Sequence, residues 1–272
     1  MALKDMAILL DWSSRAASRY AISLASGFEA HLTVAAVVID PTAGLGFTQG
    51  AAAFAASVLD KARDAARAAV DEVASMAQRS GVSAEVELVE AAGATLGDAL
   101  GRLLRHFDLT IIEQPNPEVR DDKTTLIEAA LFGSGRPLLL VPYVHQKPAH
   151  LQNVTVAWDA SGAAARALGD AMPLLKGAKR IEIVTVGTPA GSDVDASAAR
   201  ITGHLGRHGL TAERRLLPDI DVASGLLSSA HDSGADLLVM GGYGHSRFRE
   251  LVFGGATRGI LQSMTVPVLM SH

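Results

Sequence analysis

The chain has 272 residues, of which 49% are hydrophobic, and its formal net charge at pH 7 is −5. This length exceeds that of an ordinary single domain, so we expect two domains. Because the net charge is slightly negative and no block of basic residues occurs, neither a nucleic-acid partner nor an acidic membrane surface is expected. The chain contains no cysteine, which excludes disulfides, thiolate catalysis and cysteine-based metal sites and is in keeping with a reducing compartment.

The first predicted strand follows the charged pair Lys4 and Asp5. Its apolar run of about five residues is too short for the apolar core of a signal peptide or for a membrane span. A cytoplasmic protein is therefore expected. The strand reaches Asp11, and Ser13 then leads into an Ala-rich helical stretch. Further along, residues 47–81 are rich in Ala, Arg, Asp and Lys, which predicts one long helix.

Three features of the first half recur in the second half, which indicates an internal repeat. Each is an apolar run marked by one equivalent residue, and the pairs are Asp11 with Asp159, Asp108 with Asp236, and Pro137 with Pro267. Two copies of one domain explain all three matches. We place the first domain at residues 1–145 and the second at 151–272, with a polar linker at 143–152 that contains Pro148.

Within the second copy, short apolar runs alternate with helical stretches. This alternation predicts an α/β fold with a parallel sheet that helices cover on both faces. The predicted strands are 153–158, 181–186, 211–217, 236–241 and 266–270, and the predicted helices are 162–175, 193–208, 221–233 and 247–263.

A glycine-rich segment, GGYGHSRFRELVFGG at residues 241–255, follows the fourth predicted strand of the second copy. Ligands of open parallel sheets bind beyond the carboxyl ends of the strands. Glycine lets the backbone approach a ligand closely, and the start of the next helix offers free N–H groups to an anion, so a phosphate would suit this place. Alternatively, these glycines, together with Gly259, only form a tight turn and let a helix pack closely on the sheet.

The spacing of these glycines resembles a motif of the universal stress protein family, whose nucleotide-binding members show G-x-x-G, nine residues, then G followed by Ser or Thr. Gly241 and Gly244 supply the first pair, and Gly254 follows after nine residues. Gly255 stands where the hydroxyl residue is expected, and the nearest hydroxyl belongs to Thr257.

The resemblance implies two tandem flavodoxin-like or Rossmann-like domains, each with a five-stranded parallel sheet of order 3-2-1-4-5 and helices on both faces. It also implies a stress-response protein that binds ATP or a related adenine nucleotide, with or without Mg²⁺, as a sensor or regulator. Asp159 would contact the ribose or adenosine, and Val186 or Gly187 the adenine. The backbone N–H groups of Gly241, Gly244, Gly254 and Gly255 would hold the phosphates. His245 and Ser246 follow the glycine turn at the predicted helix start and are further candidate phosphate contacts, although Ser246 is equally an ordinary helix N-cap, and Thr257 carries the nearest hydroxyl.

The resemblance further implies pairing through the last strand of each domain, here between the two copies within one chain, with a homodimer as an alternative. A protein partner that reads the nucleotide state is expected, but the sequence does not identify it.

In the first copy the glycine motif is absent. Glu113 aligns with Gly241 and Asn116 with Gly244, whereas Thr124 and Thr125 align with Gly254 and Gly255. Because Glu113 would place a carboxylate near the phosphate position, only the second copy is expected to bind a nucleotide. Asp11 is retained, but an Asp after a strand is also an ordinary helix cap. The Gly-Ser-Gly stretch at 133–135 indicates the end of a helix and a turn into the last strand.

Two further features of the second copy are a pair of histidines and a tryptophan. His204 and His208 have the i, i+4 spacing of metal ligands, but no third ligand accompanies them, so no metal site is expected. Trp158 is adjacent to Asp159 on a strand and should point to the opposite face, into the core.

No catalytic residue is assigned. Two alternatives to a nucleotide sensor stay open. One is a scaffold that acts only through protein contacts, and the other is a slow ATPase or phosphotransferase that would use His245 or Thr257.

Overall fold

The computed structural model describes residues 2–10, 15–40, 49–92, 95–116, 123–187, 189–242 and 255–272. The elements of the first half are β1 (Asp5–Leu10), α1 (Arg15–Phe28), β2 (His31–Asp40), α2 (Gln49–Arg79), β3 (Ala84–Ala92), α3 (Leu96–Leu104), β4 (Leu109–Glu113), α4 (Lys123–Gly133) and β5 (Leu138–Val141). Those of the second half are β6 (Asn153–Ala157), α5 (Gly162–Leu175), β7 (Arg180–Val186), α6 (Asp193–Arg207), β8 (Ala212–Leu217), α7 (Val222–Asp232), β9 (Leu237–Gly241), α8 (Gly255–Ser263) and β10 (Val268–Ser271).

The two halves have the same strand order. It is β3-β2-β1-β4-β5 in the first half and β8-β7-β6-β9-β10 in the second. The first strand of each half pairs in parallel with its second and fourth strands, as β1 does with β2 and β4 and as β6 does with β7 and β9. The expected tandem α/β fold of order 3-2-1-4-5 is thereby confirmed.

Strand composition follows position in the sheet. Strands β1, β4 and β9, which lie inside the sheet of their own half, are almost wholly buried, as expected of parallel strands covered on both faces. The terminal strand β8 is half-exposed and carries the consecutive charged residues Glu213, Arg214 and Arg215. Charged side chains on a terminal strand discourage pairing with another chain.

The predicted elements agree closely with the observed ones. The long helix expected at 47–81 is α2, Gln49–Arg79. Helix α4 ends at Gly133, and Gly135 has a φ of +67° before β5 begins, so the predicted helix end and turn are confirmed. Helix α8 is described from Gly255, and the start predicted for this helix at residue 247 lies within 243–254, outside the described part of the chain. No described helix is both long enough and apolar enough to cross a membrane.

The chain forms two compact units. The first comprises Ala2–Glu113 and Arg120–Leu138, and the second is mainly Leu139–His272. One aspartate has the same anchoring role in each. In the first unit, Asp108 Oδ2 accepts the backbone N–H groups of Lys4 and Asp5 at 2.9 and 3.1 Å. In the second unit, Asp236 Oδ2 accepts those of Gln152 and Asn153 at 3.0 and 2.9 Å. The sequence match between the two aspartates therefore has a structural cause, since each joins the start of the first strand to the start of the fourth.

The partly buried carboxyl of Asp5 predicts that the stability of the first unit depends on pH. Burial raises the pKa of this carboxyl, Asp108 and Glu85 raise it further, and His31 opposes them. A raised pKa in the folded state means that the ionised carboxylate is less stable there than in the unfolded chain, so its cost begins as pH rises above the unfolded-state pKa and is complete above the folded-state pKa. Asp5→Asn should therefore raise the melting temperature at pH 7, and the gain should vanish below about pH 4. Thermal unfolding of both proteins across this pH range measures the effect, and a gain that is equal at acid and neutral pH would contradict it.

Candidate functional site

The candidate site lies at the carboxyl edge of the sheet in the second unit. Strands β7, β6 and β9 are neighbours and parallel, so their ends at Val186, Ala157 and Gly241 lie along one edge. This is the edge where open parallel sheets bind ligands. The fold therefore places the predicted residues Asp159, Val186, Gly187 and Gly241 at strand ends on one side of the unit.

Asp159 follows β6 and is exposed. Its Oδ1 accepts the backbone N–H of Ser161 at 2.9 Å, which closes a turn in which Ala160 has a φ of +63°. Ser161 then caps helix α5, because its Oγ accepts the N–H of Ala164 at 3.1 Å. Asp159 thus shapes the turn into α5 and also presents a carboxylate at the edge of the sheet.

The end of β7 is already engaged by its neighbouring strand. Val186 is half-buried, and Gly187 is exposed with a φ of +65°. The N–H of Gly187 donates to the carbonyl oxygens of Leu217 and Pro218 at 3.1 and 3.2 Å. A base that contacted the backbone here would therefore have to use a group other than this N–H.

Carboxylates also follow β8 on the same side. Asp219 is exposed, and its Oδ1 would lie 3.0 Å from a Cβ on Gly187. Asp221 caps helix α7 by accepting the N–H and Oγ–H of Ser224, and these hydrogen bonds lower the pKa of Asp221. The loops at this edge are therefore acidic.

The need for glycine at position 241 is explained by packing. A Cβ on this residue would lie 2.6 Å from Ala164 N and 2.7 Å from Ala163 C, both backbone atoms at the start of α5. The next N–H, of Gly242, donates to the Ser271 carbonyl of β10 at 2.8 Å. The alternative in which these glycines serve packing therefore has direct support at Gly241, where only glycine lets β9 lie against α5.

The two glycines of α8, Gly255 and Gly259, differ in how closely other atoms pack against them. Gly255 is exposed, and no described atom lies within 4 Å of the place of its Cβ. Thr257 is only 3% exposed, which argues against it as a group that reaches a γ-phosphate. Gly259 lies one turn further on, where its Cβ would be 2.6 Å from Ala223 Cβ on α7. Packing therefore requires glycine at position 259, whereas the described residues place no such constraint on Gly255.

Four predicted contact residues lie outside the described part of the chain, namely Gly244, His245, Ser246 and Gly254. Asp11 lies outside it as well. Their roles stay predictions.

In the first unit, the position that aligns with Gly241 holds a carboxylate, as the sequence indicates. Glu113 is the last residue of β4 and is 3% exposed. Its Oε2 accepts the backbone N–H groups of Ala16 and Ala17 at 3.0 and 3.2 Å, and Lys123 Nζ donates to its Oε1 at 3.3 Å. Sequence reasoning found Glu113 but missed Lys123, whose only signal is a lysine at the start of an otherwise apolar helical stretch.

The remaining candidates, Trp158 and the histidine pair His204 and His208, contact other side chains of the protein. Trp158 is buried, and its indole N–H donates to Ser197 Oγ at 3.2 Å, which confirms that it packs in the core. The rings of His204 and His208 contact each other edge to face, with centroids 4.7 Å apart. Over the described ranges, no group of three or more His, Asp or Glu side chains is arranged to hold a metal ion.

Comparisons with known proteins agree with the fold. Residues 150–272 match the family model described as Universal stress protein family. A curated universal stress protein of Synechocystis sp. is 28% identical over 202 residues, which are 71% of this chain and 67% of that protein. The crystal structure of a universal stress protein from Archaeoglobus fulgidus has a TM-score of 0.71 at 17% identity and covers 97% of this chain and 95% of its own. A candidate universal stress protein from Pseudomonas aeruginosa has a TM-score of 0.61 at 14% identity, with 99% and 93% covered.

Proposed function

We propose that this chain, which belongs to the universal stress protein family, binds ATP or a related adenine nucleotide at the carboxyl edge of its second unit and acts as a nucleotide-linked regulator. The proposal is carried by one observation: the fold aligns the ends of β6, β7 and β9 at the edge that also holds Gly241, the first glycine of the motif. Exposed Asp159 would contact the ribose, the end of β7 the base, and the glycine segment with the start of α8 the phosphates.

The acidic loops favour a nucleotide bound with Mg²⁺. Asp159, Asp219 and Asp221 are all exposed on loops after β6 and β8. Their negative charges oppose a bare triphosphate, and a divalent cation would offset that repulsion. The absence of cysteine from the chain is in keeping with a cytoplasmic location. Pairing of the two halves through their last strands and a homodimer both stay predictions.

The proposal is tested by calorimetric titration of the purified protein with ATP, with Mg²⁺ and with a chelator, after mass spectrometry for a co-purified nucleotide. We expect one equivalent per chain. Asp159→Asn keeps an oxygen that accepts the Ser161 N–H but replaces the charge-assisted hydrogen bond to the ribose with a neutral one. It should therefore weaken binding of the Mg²⁺ complex about tenfold, or about 1.4 kcal/mol, with little change in melting temperature. Gly255→Asp adds a carboxylate where no described atom lies within 4 Å of the Cβ position and should also weaken binding, and Gly255→Ala is its uncharged control.

A protein that carries no nucleotide through purification and shows no heat with ATP would exclude this function. The scaffold would then replace it, since packing at Gly241 and Gly259 already accounts for two of the glycines. Equal affinities for the wild type, Asp159→Asn and Gly255→Asp would mean that a nucleotide binds somewhere else.

A further inference from the structure

The first unit holds a buried ion pair at the position that aligns with the glycines of the second unit. Glu113 is 3% exposed and Lys123 is 1% exposed. Two charges taken out of water are unfavourable unless hydrogen bonds satisfy them. Here the carboxylate accepts two backbone N–H groups of α1 and one from the Lys123 ammonium. The hydrogen bonds around Glu113 therefore meet this condition for the carboxylate.

The donors around Glu113 are those that proteins use to bind an external anion. Ala16 and Ala17 are the second and third residues of α1, so their N–H groups have no acceptor within the helix. A helix start presents such groups together with its positive dipole end, and a lysine adds a full charge. Glu113 supplies from within the chain the negative group that this arrangement attracts.

The pair joins β4 and α4, and the counterparts of these elements in the second unit, β9 and α8, flank the glycine motif. Glu113 at the end of β4 aligns with Gly241 at the end of β9. Lys123 begins α4 and directly precedes Thr124, which aligns with Gly254. The second unit has no carboxylate at Gly241, and there Ser161 Oγ accepts the N–H of Ala164 instead.

We propose that Glu113 is a built-in anionic ligand of the first unit. Its carboxylate, held by the start of α1 and by Lys123, occupies the place of an external anion and fixes β4, α1 and α4 together. The first unit is then permanently in one arrangement, and only the second unit responds to an anionic ligand. That last contrast depends on the proposed nucleotide function, whereas the built-in anion does not.

The test is chemical rescue of the Glu113→Ala variant, measured by thermal unfolding of the protein without nucleotide. Removal of one partner of a buried pair should lower the melting temperature of the first unit by about 6 to 15 °C. Sodium formate, which supplies a small carboxylate, should restore several degrees relative to sodium chloride at equal ionic strength. Glu87→Ala is the matched control, because it removes the same charge from an exposed position on β3 and should respond to neither salt.

Two further variants check the role of Lys123. Glu113→Ala with Lys123→Met removes both charges, so it should melt above the Glu113→Ala variant and show no rescue by formate. If Glu113→Ala does not fold, Glu113→Gln keeps the side-chain volume, and its melting temperature should rise when Lys123→Met is added.

The proposal is overturned if Glu113→Ala melts like the Glu87→Ala control, if formate and chloride act alike on it, or if the double variants lose as much as the two single changes added together. These readouts use protein without nucleotide. A failed ATP titration would therefore refute the function of the second unit and leave this result standing.

Discussion

Gly241→Ala is expected to destabilise the second unit by about 3 kcal/mol, the upper part of the range for overpacking a core. The added Cβ would lie 2.6 to 2.8 Å from Ala164 N, Ala163 C and Ala163 Cβ. Two of these atoms belong to the backbone of α5 and cannot move by a change of rotamer. Relief would require α5 to move away from β9, and the packing of α5 on β9 and β10 would be lost with it.

Gly255→Ala is the matched control for this change. Gly255 belongs to the same glycine segment, but its Cβ would meet no described atom within 4 Å, and it begins α8 without a positive φ. Alanine there should change the free energy of unfolding by less than about 1 kcal/mol, in the stabilising direction. Urea unfolding of the three proteins measures both values. Equal stability of Gly241→Ala and Gly255→Ala would contradict the packing role of Gly241.

This pair of variants separates the two meanings of the glycine motif. Loss of nucleotide binding in Gly241→Ala would be ambiguous, because the edge of the sheet would be distorted. Loss of binding in a Gly255 variant that keeps full stability would report on the ligand. The spacing of a motif alone does not make this distinction, since both roles require a residue without a side chain.

The topology of both halves could be predicted from the sequence because it depends on regular patterns. Apolar runs alternate with helical stretches, and the paired positions Asp108 and Asp236 repeat for a physical reason, since each carboxylate accepts two backbone N–H groups at the base of its sheet. The anchor is repeated because the fold of the first half is repeated in the second.

The candidate site was less predictable because its contacts are long-range. That Gly241 lies against Ala164 depends on how closely α5 approaches β9, which no local pattern specifies. The partner of Glu113 was missed for a related reason. A lysine at the start of a helix is ordinarily exposed, and only the fold shows that Lys123 is buried against a carboxylate.

Gly101→Ala is expected to destabilise the first unit by about 2 to 3 kcal/mol. Gly101 lies on α3 where this helix crosses the end of α4, and its Cβ would be 2.9 Å from Gly133 O and 3.1 Å from Gly133 Cα. Two helices approach this closely only where neither has a side chain. The sequence pattern indicates only that a helix ends at Gly133. The structure adds a second role for this residue, which is to let α3 and α4 cross closely.

Gly97→Ala, four residues earlier on α3, should have the opposite sign. Gly97 is exposed and no described atom lies within 4 Å of the place of its Cβ, so alanine should stabilise the helix by about 0.5 kcal/mol. The same chemical change on one helix should therefore lower stability at residue 101 and raise it at residue 97, as urea unfolding would show. Two changes of the same sign would mean that helix propensity outweighs the crossing, and the close packing of α3 on α4 would then not be what maintains glycine at position 101.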